Sequence, residues 1–306
     1  MATMNQTRIT EFILLGFGDL HSFNIVFFVL FLIIFILTII GNLLIIILVS
    51  TNAQLQTPMY YFLCHLSLSD LATSTNIVPN MLGAILRAGK FMTYIGCITQ
   101  FYFFSGITVT ECLLLTVMSY DRYLAICNPL RYSTIMDSKR QTCLSVWPWL
   151  LGLTFNLVAV LPVSNFHFCR DNIIDHVFCD LSPLQKISCS DTSVIEFEIF
   201  LLSMPVFMLP CGFITVTYVY IFLTIAKIPT KSKQKTFSTC SSHLSVVGAF
   251  YGTLIAKYMI PSVGHSMLIN KIVSLLHTLL TPLFNPIIYS LRNQEIKTGF
   301  RKTFAQ

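Results

Sequence analysis

Residues 118–132 read Met118-Ser-Tyr-Asp-Arg-Tyr-Leu-Ala-Ile-Cys-Asn-Pro-Leu-Arg-Tyr132 and close a long apolar segment with a charged triplet, Asp121-Arg122-Tyr123. A Pro and a basic turn follow the triplet. Charged side chains are costly where a membrane helix faces lipid. The triplet is therefore expected where a helix meets water or a protein partner, and the segment before it is predicted to cross a membrane.

The composition supports the same conclusion. Of the 306 residues, 55% are hydrophobic and only 10% are charged. A soluble domain carries about 25% charged residues. A soluble enzyme of this composition would expose large apolar patches and would aggregate. The composition therefore excludes a soluble enzyme and predicts a membrane protein.

Seven apolar stretches reach the roughly 20 residues that a membrane-spanning helix needs. They cover residues 23–50, 58–86, 94–126, 140–162, 195–226, 236–262 and 269–290. We predict an all-α membrane protein, a seven-transmembrane helix bundle forming a single domain over residues 1–306. Its parts are an extracellular N-terminus (1–22), the bundle (23–290) and a cytoplasmic tail (291–306). The tail alternates basic and apolar residues, which predicts a short amphipathic helix on the membrane.

Charge is distributed unevenly between the two sides of this bundle. If the N-terminus lies outside, the inner loops hold most of the basic residues, whereas the segment between spans four and five is acidic. This asymmetry fits the positive-inside rule. The net charge of +6 thus belongs to loops beside an anionic leaflet and does not indicate nucleic-acid binding. The sequon Asn5-Gln6-Thr7 in the external tail predicts glycosylation at Asn5 and agrees with this orientation.

Four of the ten cysteines, Cys97, Cys169, Cys179 and Cys189, fall on the predicted external side, where disulfides persist. Four cysteines allow three pairings, and their spacing does not choose among them. Packing thiols are one alternative. An external metal site with His167 and His176 is another, although solvated loop residues are the simpler interpretation of both histidines.

Several motifs stand in order on successive spans. They are Gly41-Asn42, Thr57-Pro-Met-Tyr-Tyr-Phe-Leu63, Leu66-Ser-Leu-Ser-Asp-Leu71, the triplet string, Lys235-Thr-Phe-Ser-Thr-Cys-Ser-Ser-His-Leu244 and Pro282-Leu-Phe-Asn-Pro-Ile-Ile-Tyr-Ser-Leu-Arg-Asn293. In this order they resemble the rhodopsin-like (class A) G-protein-coupled receptors. The triplet string and the sixth-span string resemble the olfactory receptors. The Thr57-Pro-Met-Tyr60 form and the ordinary length of the third external loop resemble their class II (tetrapod-type) subgroup. Gln56 departs from that subgroup, which usually has His at this position.

The resemblance implies a receptor that binds small volatile odorants and activates a stimulatory olfactory-type G protein, raising cyclic AMP. It implies a multi-pass protein of the plasma membrane, with the cilia of olfactory sensory neurons as the expected location. It also implies two disulfides, Cys97–Cys179 and Cys169–Cys189. A receptor of this kind performs no covalent chemistry, so we expect no enzymatic activity.

The resemblance further implies how the inner face acts. Arg122 would pair with Asp121 at rest and turn toward the G protein on activation, supported by Tyr218 and Tyr289. The Pro in the seventh span weakens the helix ladder and permits a kink. The residues assigned to coupling and activation are Asp121, Arg122, Tyr123, Tyr218, Asn285, Pro286 and Tyr289.

Two carboxylates fall inside the predicted bundle. Asp70 lies about 18 Å from the inner end of the second span, and Glu111 lies about 16 Å outward of Arg122, at the α-helical rise per residue. At one depth, two carboxylates either bind a cation or share a proton. Asn42 and Asn285 would complete a polar network. The resemblance implies an ion and water site, holding sodium or a proton as the only cofactor; a satisfied structural cluster is the alternative.

The ligand pocket is predicted from helical faces. It should be mostly apolar with a few hydroxyls, as small-molecule sites usually are, and should prefer small, largely neutral molecules. By resemblance, Tyr251 is the switch-position aromatic and Tyr258 lines the odorant site. Lys257 is expected to extend to the external surface, or alternatively to meet an acid or aldehyde ligand. The predicted lining is Phe104, Ser105, Thr108, Val109, Leu202, Val206, Tyr251, Leu254, Ile255, Tyr258 and Thr278.

Two other functions remain open at this stage. A rhodopsin-like receptor for a non-odorant small molecule would share every motif above. A seven-span transporter would also use buried carboxylates, but the two halves of the chain show no inverted repeat. An intramembrane enzyme is disfavoured because the sequence contains no hydrolase or metalloprotease motif.

Overall fold

The computed structural model describes residues 10–18, 23–168, 172–227, 230–259, 267–292 and 296, without the side chains at 230–236, 238, 239, 258, 259, 267, 291 and 292. The sequon at Asn5, Cys169 and most of the predicted C-terminal helix lie outside this description. Long helices dominate the described chain: α1 (Phe23–Thr51), α2 (Pro58–Leu86), α3 (Tyr94–Cys127), α5 (Ser138–Val163), α7 (Ser193–Ala226) and α8 (Thr230–Met259). Short helices α4 (Pro129–Ile135) and α6 (Leu181–Ile187) lie in loops.

The seventh long element has three parts. An α-helix, α9 (Met267–Leu275), runs into a π-helical segment at Leu276–Leu280 and continues as α10 (Thr281–Arg292). The seven long elements match the predicted spans, and most ends agree within a few residues. The largest difference is in α8, which begins at Thr230 rather than at 236.

Five of these elements are both long and apolar enough to cross a membrane: α1, α3, α5, α7 and the seventh element over Leu268–Ser290. The other two, α2 and α8, are equally long but more polar. In α2 the polar side chains face the bundle, where Ser67, Ser69, Asp70, Thr73 and Ser74 are all buried. A polar helix can cross a bilayer when neighbouring helices cover its polar face in this way.

The centre of the bundle is α3, which packs against α2, α5 and α7. Its contact with α5 is unusually close. A Cβ atom added to Gly152 of α5 would collide with the Thr110 side chain and with the Gly106 carbonyl of α3. Small residues allow helix backbones to approach in membranes, where lipid offers no hydrophobic drive for association. Gly152 therefore fixes the spacing of α3 and α5.

One end of the bundle carries a small sheet that the sequence did not predict. Strand β1 (Glu11–Leu14) pairs antiparallel with β2 (Lys90–Thr93) and parallel with β3 (Ile173–Ile174), with Glu11 opposite Thr93 and Ile13 opposite Ile173. Phe12 and Leu14 point from the sheet into the protein and are fully buried. The sheet joins the segment before α1 to two loops.

A disulfide joins Cys97 at the start of α3 to Cys179 in the loop between α5 and α7, as predicted. Cys189 is also disulfide-bonded. The six other cysteines are free thiols: Cys64, Cys112, Cys127, Cys143, Cys211 and Cys240. We call this end of the bundle, marked by Cys97–Cys179, the disulfide end, and the opposite end, marked by Asp121-Arg122-Tyr123, the triplet end.

Candidate functional site

A buried ion pair lies at the disulfide end. The Lys257 ammonium of α8 is 2.8 Å from the Asp180 carboxylate, with the two side chains only 10% and 11% exposed. Lys257 Nζ also lies 4.5 Å from the ring centre of Phe104 and 5.4 Å from that of Phe178. The expectation that Lys257 extends to the external surface is wrong, because the loop between α5 and α7 folds inward and presents a carboxylate to it.

Asp180 is held ionised by its neighbours. Burial alone would raise its pKa, but Lys257 and His176 outweigh burial and hold the pKa of this carboxyl below its usual range. Its Oδ1 also accepts a hydrogen bond from the backbone N–H of Leu181, at the start of α6 (2.9 Å). One carboxylate therefore caps a loop helix and neutralises a lysine of the bundle.

His176 of the same loop is buried. Its ring lies 3.1 Å from the Phe178 carbonyl and 3.4 Å from Ser274 Oγ in α9. Burial, the largest effect, lowers the pKa of His176 to about 4. The prediction of a solvated histidine is therefore wrong for His176, although it holds for the exposed His167.

A second ion pair ties this loop to the seventh element. Lys271 of α9 is buried and its Nζ lies 2.5 Å from Asp175 Oδ1, whose side chain is 41% exposed. Together with Lys257–Asp180, it connects the loop to both α8 and α9. Asp175, Asp180 and Lys271 are not among the predicted site residues. The only signal for the two aspartates was the acidic character of this loop, and nothing in the sequence singled out Lys271.

The predicted ligand residues of α3 lie beneath the loop. The Phe104 ring packs edge-on against Phe178, 4.9 Å between ring centres. Ser105 and Thr108 donate their hydroxyl hydrogens to carbonyls one turn back in α3 (2.6 and 2.9 Å), and Thr278 does the same in the seventh element (2.9 Å). The hydroxyl oxygens remain as acceptors in otherwise apolar surroundings, so this region suits apolar molecules that donate at most a hydrogen bond or two.

Deeper in the bundle, Tyr251 joins three helices. Its hydroxyl lies 2.9 Å from Cys112 Sγ of α3, and the same sulfur lies 3.7 Å from the Val206 carbonyl of α7. Leu254 is buried one turn further along α8. The predicted residues Tyr251, Leu254 and Val206 thus lie close to α3.

Other predicted lining residues are placed differently. Val109 is buried and Leu202 is half-buried. Ile255 is 56% exposed on the outer surface of α8. It therefore does not lie with the other predicted lining residues. Tyr258 lies on α8, but its side chain is outside the described part of the chain.

His277, which is not among the predicted site residues, connects α8 to the seventh element. Its Nδ1 lies 3.0 Å from Thr253 Oγ1, and its ring packs against Phe250 (5.5 Å) and Phe104 (6.1 Å). A single histidine in an apolar span gave no signal for this position. His277 lies within the π-helical segment, next to Thr278.

The two predicted carboxylates lie in one polar network. Asn285 Nδ2 donates to both oxygens of Asp70 (3.0 Å each), and Thr73 Oγ1 donates to Glu111 Oε1 (3.3 Å). Glu111 is close enough to act electrostatically on Asp70. Asn42 Nδ2 donates to the Pro282 carbonyl (3.0 Å). These contacts connect α1 to α10, α2 to α10 and α2 to α3.

Two oxygens of this network lack protein donors. Asn42 Oδ1 and Asn285 Oδ1 are buried and have no hydrogen-bond partner in the described chain. Carboxylate and amide oxygens are ligands for hard cations. Two carboxylates with two free carbonyl oxygens therefore fit a small cation, or a proton with bound water.

At the triplet end, Arg122 and Asp121 form the expected ion pair (Nη2 to Oδ2, 3.1 Å). Tyr132 of α4 donates a hydrogen bond to Asp121 Oδ1 (2.8 Å). Tyr123 packs edge-on against Tyr220 of α7 (6.1 Å between ring centres). Asp121, which pairs with Arg122, is thus also held by a hydrogen bond from the short loop helix α4. Tyr132 is not among the predicted site residues.

Tyr218 and Tyr289 lie near the same end. Tyr218 stacks on His243 of α8, and its hydroxyl lies 2.7 Å from His243 Nδ1. The hydroxyl of Tyr289 is buried with no hydrogen-bond partner among the described residues. Pro286 packs so closely on α1 that a Cβ at Gly41 would lie 3.1 Å from its ring. Tyr218 thus engages α8 in this arrangement, while Tyr289 keeps a free hydroxyl.

Comparison with known proteins gives concordant results. A family model described as "Olfactory receptor" matches residues 31–306. Human olfactory receptor 11L1 is 45% identical over 304 residues (99% of this chain, 94% of the relative), and mouse olfactory receptor 1E16 is 42% identical over 307 residues (100% and 98%). The crystal structure of squid rhodopsin superposes with a TM-score of 0.73 at 18% identity, covering 92% of this chain and 81% of that one. The last similarity concerns the seven-helix fold alone.

Proposed function

This chain belongs to the olfactory receptor family, and we propose that it binds small volatile odorants within its helix bundle and activates a stimulatory olfactory-type G protein, raising cyclic AMP. It is a multi-pass membrane protein and not an enzyme. We place its N-terminus outside the cell and the receptor in the plasma membrane of olfactory cilia. The observation that carries the proposal is the position of Tyr251, which contacts Cys112 of α3, one turn from the proposed ligand residue Thr108, and lies on the helix that leads to the triplet end.

The proposed ligand chamber lies between Phe104, Thr108, Tyr251 and Thr278, beneath the loop that carries Asp180. The Thr108 and Thr278 hydroxyls donate to carbonyls one turn back in their own helices, and the Tyr251 hydroxyl contacts Cys112. Lys257 is neutralised by Asp180. Because Lys257 already has a counter-ion, a free acid would have to displace Asp180. Neutral, mostly apolar molecules held by dispersion and one or two hydrogen bonds therefore suit the chamber best.

The proposed response begins at Tyr251. A ligand shifts a receptor equilibrium only by its difference in affinity for two states. A ligand that repacks Tyr251 would disturb its contact with Cys112 and bias α8, and α8 holds His243 against Tyr218. In the active state, Arg122 would leave Asp121 and contact the G protein, with the free hydroxyl of Tyr289 available to it.

We further propose that Asp70 and Glu111 hold a sodium ion or share a proton, with Asn42 and Asn285 supplying neutral oxygens. The sodium test is thermal unfolding of the purified receptor in sodium chloride and in the chloride of a bulky organic cation. If sodium binds, wild type melts higher in sodium, and Glu111→Gln loses that difference. An equal melting temperature in both salts for wild type would favour the proton.

The experiment for the main proposal measures cyclic AMP in cells that express this chain with an olfactory-type G protein, across a panel of volatile compounds. Tyr258→Ala and Arg122→Ala are run in parallel. Ile255→Ala is the matched control, because Ile255 lies on the same helix as Tyr258 but on its exposed surface. Surface expression of every variant is measured with an N-terminal tag.

A response that is lost in Tyr258→Ala and Arg122→Ala, but kept in Ile255→Ala, would support both the chamber and the coupling assignment. Loss in Ile255→Ala alone would contradict the proposed position of the chamber. If the wild type is well expressed at the surface but no compound of the panel raises cyclic AMP, the result would count against an odorant ligand. It would favour a non-odorant small molecule or another G protein.

A further inference from the structure

A cleft lies between α7 and α8, outside the proposed ligand chamber. Its volume is about 310 Å³, and it is lined entirely by these two helices. The buried side chains of Ile214, Tyr218 and Tyr251 form its base, and the partly exposed Val219 and Phe222 form its rim. The cleft exists because α7 packs mainly against α3 and touches α8 along little of its length.

The hydroxyl groups of the cleft already have hydrogen-bond partners within the protein. The Tyr218 hydroxyl is bonded to His243, and the Tyr251 hydroxyl to Cys112. Thr215 donates its hydroxyl hydrogen to the backbone carbonyl one turn back in α7 (2.8 Å). A polar ligand would lose its hydration without recovering hydrogen bonds here, which is unfavourable. The occupant should therefore be apolar.

The depth of the cleft identifies the occupant further. Its α7 residues run from Cys211 to Phe222, which spans about 16 Å of helix toward the triplet end. The adjoining surface of α7 exposes further apolar side chains, including Phe213, Val216 and Leu223. Such a surface on a membrane-spanning helix faces lipid hydrocarbon. We infer that one acyl chain of a phospholipid from the leaflet at the triplet end occupies this cleft, lying along α7.

Gly248 creates the room for this chain. A Cβ at Gly248 would meet no heavy atom within 4 Å, and the residue lines the cleft. A leucine at this position would fill the space without a backbone clash. Gly252, one turn along α8, also has open space around it but does not line the cleft. The two glycines therefore form a matched pair of substitution sites.

The acyl chain would touch Tyr218 and Tyr251 at once. These are the two tyrosines through which we propose that ligand binding reaches the triplet end. The lipid would thus contact the activation path from the membrane side, without entering the ligand chamber. The site itself does not depend on odorant binding or on G-protein coupling.

The test uses the purified full-length receptor in nanodiscs of palmitoyl-oleoyl phosphatidylcholine. A trace of phosphatidylcholine carries a photoreactive diazirine at the end of one acyl chain, and the labelled residues are located by mass spectrometry after irradiation. Labels on the lipid-facing side of α1, at Ile36 and Ile40, give the background for exposed residues. In wild type, we expect labels on Ile214 and Val247 at about ten times that background, although Ile214 is buried from bulk solvent.

In Gly248→Leu, the cleft labels should fall about tenfold, the change that ~1.4 kcal/mol of lost affinity produces. Gly252→Leu should keep them, and the α1 labels should be unchanged in both variants. Cleft labelling at background in wild type would overturn the inference, as would persistence in Gly248→Leu. Labelling by a photoreactive sterol but not by the phospholipid would also overturn it and assign the cleft to a sterol. The readout needs no odorant, so failure of the odorant assay would not affect it.

Discussion

The Lys257 ammonium lies 2.8 Å from the Asp180 carboxylate, and both side chains are about nine-tenths buried. Removing one member of a buried ion pair costs ~3–5 kcal/mol, because the other charge is left buried without compensation. This contact also joins the loop between α5 and α7 to α8, the helix that we propose moves on activation. The Lys257–Asp180 ion pair should therefore contribute measurably to the free energy of unfolding of the receptor.

We expect Lys257→Met to lower the free energy of unfolding by ~3 kcal/mol, and the double variant with Asp180→Leu to recover most of this loss, since it leaves no buried charge. Thermal melting of the purified receptor measures both. Asp175→Asn is the comparison and should cost less, because the Asp175 side chain is 41% exposed and solvent screens its attraction for Lys271. Equal losses at Asp180→Asn and Asp175→Asn would contradict the special role of the buried pair.

Asp121→Asn should raise basal cyclic AMP several-fold in cells with the olfactory-type G protein, because Arg122 would lose its counter-charge. Tyr132→Phe should raise it less, since only one hydrogen bond to Asp121 is lost. Tyr120→Phe serves as the control, because it keeps the ring contact with Phe213 and takes no part in either contact of Asp121. Basal signalling in Asp121→Asn that matches wild type at equal surface expression would show that this ion pair does not restrain the receptor.

Gly152→Ala should destabilise the receptor by ~1–3 kcal/mol, since an added methyl group must push α5 away from α3. Gly212→Ala in α7 provides the comparison, because a Cβ there meets nothing within 4 Å. Melting temperatures of the two variants in the same detergent measure the difference. If both substitutions lowered the melting temperature equally, the close contact at Gly152 would not be what stabilises this part of the bundle.

Lowering the pH should destabilise the folded loop at the disulfide end, because the folded state disfavours protonation of the buried His176. Its pKa is about 4 when folded, mainly because of burial, against an ordinary value near 6.5. Lys257 and Lys271 lower it further, while Asp180 and the Phe178 carbonyl raise it. Between these two values the unfolded chain binds more protons, so stability falls as the pH falls, by ~2 kcal/mol at pH 5.

The measurement is the melting temperature at pH 7 and at pH 5. Wild type should lose stability on acidification, and His176→Gln should lose less. His167→Gln is the matched control, because His167 lies in the same loop and is exposed. An acid-induced loss that is undiminished in His176→Gln would assign the effect to other groups.

The helices were predictable because span length depends on runs of apolar residues, which the sequence displays directly. The end of α2 at Leu86 agrees with the predicted 86 for this reason. The faces of the helices were harder. Ile255 is four residues from Tyr251, so the helical period assigns both to one face, yet Ile255 is exposed. The period does not reveal how wide a face the neighbouring helices cover.

The loop between α5 and α7 was the least predictable part. Hydrophobic period carries no information on where a loop folds, so Lys257 and His176 were assigned to solvent. Both are buried because Asp180 and the disulfide at Cys179 draw the loop inward. The pairing of β1 with two distant loops was missed for the same reason, since it depends on contacts between segments far apart in the chain.

The π-helical segment at Leu276–Leu280 has a consequence for the register of the seventh element. A π-turn holds one residue more than an α-turn, and each residue of an α-helix turns the chain by about 100°. If the same residues were wound as a regular α-helix instead, the extra residue would no longer be absorbed and all that follows would be rotated by about that angle. Asn285 would then no longer face Asp70. The π-helical winding before Asn285 is thus as much a part of the polar network as the side chains that form it.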